Sequence, residues 1–308
     1  MKPTLLVLAA GMGSRYGGLK QLDKLGPQGQ TIMDYSIFDA LRSGFGKVVF
    51  VIRKDFEEQF RRDILSKYEG YIPVEVVFQE KDALPAPFVC PEDRVRPWGT
   101  NHAVMMGKKV INEPFAVINS DDFYGLDAFL TLSNYLQEIP AGEKGRYSMV
   151  AFKVGNTMSE NGYVSRGVCS VDESGKLSKI VERSKIEYTD NGDIVFHDEN
   201  DNLSPLSAQT PVSMNFWGFT PDYFDYSEHE FTRFLNKYVN NPGKEFFIPS
   251  VVDKLIGNGK ASVDVLTTDS QWFGVTYPGD REGVVNRLAQ LHSEGLYPDD
   301  MFGFNNKE

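Results

Sequence analysis

Apolar runs and amphipathic stretches alternate through the first half of the chain. Residues 4–9 are an apolar run closed by Gly11, which predicts a buried strand. Tyr35, Ile37, Phe38 and Leu41 repeat at helical spacing within residues 34–42, and Gly44 supplies a stop. Residues 47–52 and 74–78 predict two more strands, with a helix over 56–68 between them. Residues 84–97 are proline-rich and predict an irregular surface loop. A helix over 101–109 and a strand over 114–119 follow, the strand running into Ser120, Asp121 and Asp122. Strands that are apolar throughout and alternate with helices predict an α/β fold whose parallel sheet is covered on both faces.

The texture changes after about residue 145. Residues 149–154, 167–171, 178–181, 212–218 and 262–266 read as strands, with a turn over 172–175. Residues 185–208 form a polar excursion with a hairpin. Helices are expected over 231–238, 249–256 and 283–292. The second half therefore adds strands of mixed direction.

Composition narrows the function. The chain has 308 residues, 41% of them hydrophobic, enough for a sizeable core. A formal net charge of -11 argues against sequence-independent binding of nucleic acid, which depends on neutralising phosphates. No run of about twenty apolar residues predicts a membrane span. Cys90 and Cys169 are far apart, without metal or disulfide spacing, which fits a reduced, cytoplasmic setting. His102, His197, His229 and His292 are scattered and make no metal motif.

The chemistry concentrates in the turn after the first strand, LAAGMGSRYGGLKQL. Gly11 and Gly13 let the backbone turn sharply, and successive N–H groups in such a turn cradle phosphate oxygens. Tyr16 breaks the dinucleotide pattern G-x-G-x-x-G. Leu19-Lys20-Gln21 breaks the P-loop pattern. What remains is Gly-x-Gly-x-Arg with Arg15, then Lys20: two permanent cations on a phosphate-binding turn, suited to a triphosphate. The same segment could also be a glycine turn with two solvated cations.

This turn resembles the opening signature of the nucleotidyltransferase superfamily, and in particular the sugar-1-phosphate nucleotidylyltransferases. The resemblance implies a Rossmann-like three-layer α/β/α mixed sheet of the GT-A-like kind. It divides residues 1–290 into a nucleotide-binding half, 1–145, and an acceptor-binding half, 146–290, before a tail over 291–308. It implies that Ala10, Gly11, Gly13 and Arg15 hold the triphosphate and that Lys20 bridges the phosphates of both reactants. PWGTNHAV resembles the segment that lies against the nucleobase, with Gln79, Gly99 and Thr100 as contacts. FAVINSDDFYG resembles the strand that delivers a metal-binding carboxylate, making Asp121 the Mg²⁺ ligand with Asp122 beside it. ENGYVSRG, KIVERS and MNFWGFTPDYF resemble acceptor-binding pieces and nominate Gly162, Glu182 and Asn215.

One departure stands out. Where the family commonly carries a second metal-binding aspartate, this chain has Gly274, within Trp272-Phe273-Gly274. Asp264, Asp269 and Asp280 are candidates to replace it. The implied reaction moves a nucleotidyl group from a nucleoside triphosphate to a sugar 1-phosphate and releases pyrophosphate. Both reactants are small molecules, and neither nucleic acid nor a membrane is an expected partner; a homo-oligomer is compatible with the sequence. Two alternatives differ in class: a nucleotide-sugar sensor without turnover, and a transferase acting on a non-sugar phosphate such as phosphocholine.

Overall fold

The computed structural model describes residues 1–11, 23–198 and 200–303. Four parallel strands form one end of the main sheet: β1 (Thr4–Leu8), β2 (Lys47–Ile52), β3 (Val74–Phe78) and β4 (Phe115–Asn119), in the order β4-β1-β2-β3. A short strand β5 (Asp122–Phe123) follows β4. The second half supplies β6 (Arg146–Lys153), β7 (Val164–Val171), β8 (Leu177–Tyr188), β9 (Ile194–His197), β10 (Leu203–Pro205), β11 (Pro211–Phe219) and β12 (Ser262–Thr267). β13 (Phe273–Gly274) pairs with β5 as a separate ribbon.

Alternation along the strands explains the layers. Leu5 and Val7 of β1, Val48, Phe50 and Ile52 of β2, and Ala116 and Ile118 of β4 enter one core. Leu6, Val49, Val51, Phe115 and Val117 enter the other. Side chains of a strand point to opposite faces with period 2, so a strand apolar at every position needs cover on both sides. Helices Ile32–Arg42, Leu126–Gln137 and Asp280–Ser293 lie against the first core, and Thr100–Met105, Tyr223–Tyr238 and Ile248–Gly257 against the second. Each large side chain so buried contributes about 1.5–3 kcal/mol. The three-layer α/β/α expectation is met.

Local signals acted as expected at several ends. Thr31 caps helix Ile32–Arg42: its hydroxyl accepts from Asp34 N–H at 3.3 Å, while Asp34 Oδ2 accepts from Thr31 N–H at 2.7 Å. Gly44, at φ 89°, follows the helix end. The helix Leu126–Gln137 has no counterpart among the sequence-based expectations.

One surface assignment changes. Residues 84–97 are irregular, as expected, but they are not merely surface: Arg94 is fully buried, its guanidinium 3.5 Å from the Trp98 ring centre. It donates to the carbonyls of Pro97 and Lys244 at 2.9 Å each and of Asn241 at 3.3 Å, tying the insert to the chain before helix Ile248–Gly257. Beyond residue 290, Tyr297, Met301 and Phe302 are buried against the first helix, and Tyr297 OH donates to Asp39 Oδ2 at 2.7 Å.

The second half joins through β11. Its end pairs antiparallel with β4 through Trp217, Gly218 and Phe219, and its start pairs with β7 through Val212 and Ser213. β11 also pairs antiparallel with β6, and in that ladder the register shifts between Ser213 and Trp217.

Candidate active site

The parallel strands end along one edge, and the predicted nucleotide residues follow from that edge. Leu8 is the partner of Asn119, and Ser120 N–H donates to Leu8 O at 3.2 Å. The turn after β1 and the aspartates after β4 therefore leave neighbouring strand ends, where open α/β sheets bind ligands. Ala10 is buried, whereas Gly11 is exposed with no described atom within 4 Å of the place a Cβ would take. Gly13, Arg15 and Lys20 lie outside the described residues.

Gln79 leaves β3 at the same edge, its N–H donating to Ile52 O at 2.9 Å. Its Nε2 donates to Gly99 O at 3.0 Å, so two of the three predicted base-side residues are in direct contact. Gly99 itself is explained by packing. It has φ 107°, and a Cβ would fall 2.6 Å from Phe246 O and 2.7 Å from Phe246 N. The backbones lock there, with Phe246 N–H donating to Trp98 O at 2.6 Å and Asn101 N–H to Phe246 O at 3.0 Å. The third residue, Thr100, begins a helix without being its cap, and its hydroxyl accepts from Ile248 N–H at 3.3 Å.

Asp121 and Asp122 are half-buried beyond β4. Asp122 Oδ2 accepts from Asn119 Nδ2 at 2.8 Å and from Tyr124 OH at 3.4 Å. Asn119 Oδ1 in turn accepts from Asn215 Nδ2 at 2.8 Å, and Asn215 Oδ1 accepts from Trp217 Nε1 at 3.0 Å. Asn215, a predicted acceptor contact, is thus wired to the carboxylate cluster. It holds a left-handed backbone, φ 63°, inside the β11 irregularity; such strain at a non-glycine residue persists where the surroundings over-determine it.

The ribbon of β5 and β13 sets Gly274 opposite Asp122. A Cβ on Gly274 would lie 3.0 Å from Asp122 Oδ1 and 3.1 Å from Asp121 O, so a side chain at 274 would require the Asp122 carboxylate to give way by a few tenths of an ångström. The three candidate replacements are committed elsewhere. Asp264 accepts from Tyr135 OH and from Lys176 Nζ, Asp269 pairs with Lys153 at 2.6 Å, and Asp280 accepts from Thr276 N–H, Tyr277 N–H, Ser159 Oγ and Asn161 Nδ2. No cluster of three or more metal-ligating side chains is present among the described residues. Two adjacent carboxylates at a strand end, with hard oxygen donors, do fit Mg²⁺, which takes one or two carboxylates and fills its shell with phosphate and water oxygens.

On the acceptor side, Gly162 and Glu182 are exposed. Gly162, at φ 151°, lies under the Tyr277 ring, whose atoms would stand 3.0–3.2 Å from a Cβ, and Tyr277 OH donates to Tyr163 O at 2.6 Å. Glu182 is on β8, paired with Gly167 of β7.

Sequence reasoning passed over Arg166, although it quoted the segment containing it. Arg166 is 8% exposed; its Nε donates to Thr157 Oγ1 at 3.1 Å, its Nη1 to Ser165 O at 2.9 Å and its Nη2 to Thr157 O. The guanidinium stands 4.7 Å from the Trp272 ring centre. Burial pulls its pKa down to about 10 against the opposing pull of Asp122 and Glu182. The available signal was its inward position beside Val164 in an alternating strand.

The Nucleotidyl transferase family matches residues 4–276. The chain belongs to that family and is a nucleotidyltransferase. Among solved structures, the inositol-1-phosphate CTP transferase from T. maritima is 14% identical, with a TM-score of 0.57 over 93% of this chain and 96% of that one. A UDP-glucose pyrophosphorylase complexed with UDP-glucose is 15% identical, with a TM-score of 0.59 over 93% and 98%. At such identities the likeness is one of fold. No curated protein matches by sequence. No helix among the described residues of this nucleotidyltransferase is long and apolar enough to cross a membrane.

Proposed function

We propose that the chain transfers a nucleotidyl group from a nucleoside triphosphate to a sugar 1-phosphate. An oxygen of the acceptor phosphate attacks the α-phosphorus, the bond from that phosphorus to the bridging oxygen breaks, and pyrophosphate leaves. The observation that carries this reading is the shared strand edge: the turn after β1, Asp121 after β4, and Gln79 with Gly99 after β3 all open from it.

A phosphate oxygen is already nucleophilic at neutral pH, so positioning and charge neutralisation are the main demands. Gly11 and Gly13 offer backbone N–H groups to the triphosphate, and Arg15 and Lys20 bring positive charge. Asp121 would hold Mg²⁺, which supplies charge neutralisation to the phosphates. Gln79, Gly99 and Thr100 flank the base. Gly162, Glu182 and Asn215 face the acceptor. The separate thiols Cys90 and Cys169, both free, suit a cytoplasmic setting.

The neighbouring enzymes are named for inositol 1-phosphate and for UDP-glucose, and a cyclic polyol phosphate is common to both. Pyrophosphate release from triphosphates paired with sugar 1-phosphates, inositol 1-phosphate and phosphocholine, with Mg²⁺ present, tests the reading. Release with a sugar 1-phosphate is expected, and Lys20→Ala and Asp121→Ala, each still folded, should each lower turnover by at least about tenfold. Near-normal turnover in either variant removes that residue from the site.

Gly274, in place of a second aspartate, favours a second reading, a nucleotide-sugar sensor. A nucleotide sugar that raises Tm without any pyrophosphate release in the panel would select it.

A further inference from the structure

A glutamine beside a nucleobase can offer a donor or an acceptor, because its carboxamide carries both and can rotate. At Gln79 the neighbours fix that choice. Nε2 donates to Gly99 O at 3.0 Å and stands 3.3 Å from His102 Nδ1. His102 Nε2 stands 3.0 Å from Ala83 O. A carbonyl oxygen only accepts, so a neutral His102 carries its proton on Nε2 and turns a lone pair on Nδ1 toward Gln79.

The ring is neutral for a physical reason. His102 is fully buried on helix Thr100–Met105, its ring 4.9 Å from that of Phe231. Burial draws its pKa down to about 4, outweighing the hydrogen bond to Ala83, and the nearby Arg94 acts in the same direction as burial. Both amide hydrogens of Gln79 are then committed, one to Gly99 and one to His102. Rotating the carboxamide would set Oε1 against the Gly99 oxygen and the Nδ1 lone pair at once. Oε1 accepts no hydrogen bond among the described residues, and Gln79 as a whole keeps 7% of its surface exposed.

We propose that His102 is a positioning residue for base selection: it holds the Gln79 carboxamide with Oε1 toward the nucleotide, so that Gln79 reads a nucleobase N–H and rejects a lone pair there. This rests on the nucleotidyl-transfer reading. A site built to accept one N–H discriminates strongly against a base that cannot supply it, because the oxygen is then left unpaired.

The test compares kcat/KM for ATP, GTP, CTP, UTP and dTTP in the wild type, His102→Leu and His102→Gln, with Tm as the check on folding. In His102→Leu only the Gly99 oxygen still opposes rotation of the carboxamide, and the ratio between the best triphosphate and the next should fall by about tenfold. His102→Gln, whose side-chain oxygen can accept from Gln79 Nε2, should keep most of the ratio. Ring-nitrogen NMR of the wild type should find the Nε2–H tautomer. A folded His102→Leu with unchanged selectivity, or an Nδ1–H tautomer, overturns the proposal. If His102→Leu fails to fold, two results decide: the tautomer, and whether the wild type rejects its preferred triphosphate methylated at the Watson–Crick N–H. Absence of turnover with every triphosphate overturns the transfer reading and the base-selection role with it; turnover with unchanged selectivity overturns the role of His102 alone.

Discussion

The two halves of the main sheet meet on β11 and manage polar groups in opposite ways. At the carboxyl edge of β4, β1, β2 and β3, polar side chains are drawn inward and locked. Gln79 and His102 share hydrogens with two carbonyls, Asn119 and Asn215 lead to Asp122, and Gly99 is pressed against Phe246. In the hairpin of β9 and β10 the polar groups face water. His197 Nε2 meets Glu187 at 2.8 Å, its Nδ1 meets Asp201 at 2.9 Å, and Lys185 pairs with Asp201 at 2.9 Å. A buried network loses the full desolvation cost of any group left unpaired, whereas exposed pairs are screened and worth little. Rigidity should therefore be concentrated at the strand edge that gathers the candidate nucleotide site.

Substitutions placed along that gradient can break the contrast. Gly99→Ala should have the largest effect, about 3 kcal/mol of lost stability, because it combines a forbidden φ with backbone overlap at Phe246. Urea unfolding measures it, and a loss under about 1 kcal/mol would mean that this edge is not the rigid part.

Gly274→Asp tests the junction. A carboxylate there meets Asp122, so a loss of about 1 kcal/mol is expected in a chelator, with Mg²⁺ restoring more Tm to the variant than it adds to the wild type. Equal Mg²⁺ shifts in the two proteins would locate the ion away from residues 121 and 122.

The smallest effect belongs to His197→Gln. Hydrogen bonding to Glu187, then to Asp201, raises the His197 pKa above its ordinary 6.5. A raised folded-state pKa means that the stabilisation is fully present below the unfolded value and fades as pH rises through the folded one. The Tm difference between wild type and variant should therefore be small, present in mild acid, absent in alkali and reduced by salt. A difference that grows with pH would reverse the assignment.

Much of the parallel half was readable in advance. The runs at residues 47–52 and 74–78 match β2 and β3 residue for residue: β2 is buried from Val48 to Ile52 as a strand covered on both faces, whereas β3 closes the sheet, exposes Glu75 and is half-buried at its apolar positions. Helix Leu126–Gln137 was not expected, although it buries Ala128, Phe129, Leu132 and Leu136 at helical spacing. Arg166 was hidden for a different reason. A cation in a strand looks solvated until the Thr157 turn and the Trp272 ring, one near in sequence and one remote, close over it. Gly99 is expected as a base contact, and Phe246, far along the chain, gives it a packing reason as well.

Local periodicity, caps and glycines fixed most of the segments that are strands and helices and where the turn after β1 begins, since those depend on residues a few positions apart. Tertiary structure alone decided which strand ends adjoin, which amide hydrogens of Gln79 are taken, and that Gly274 lies opposite Asp122. Those outcomes depend on contacts between residues 20 to about 150 positions apart, and no local pattern encodes a distance across the sheet.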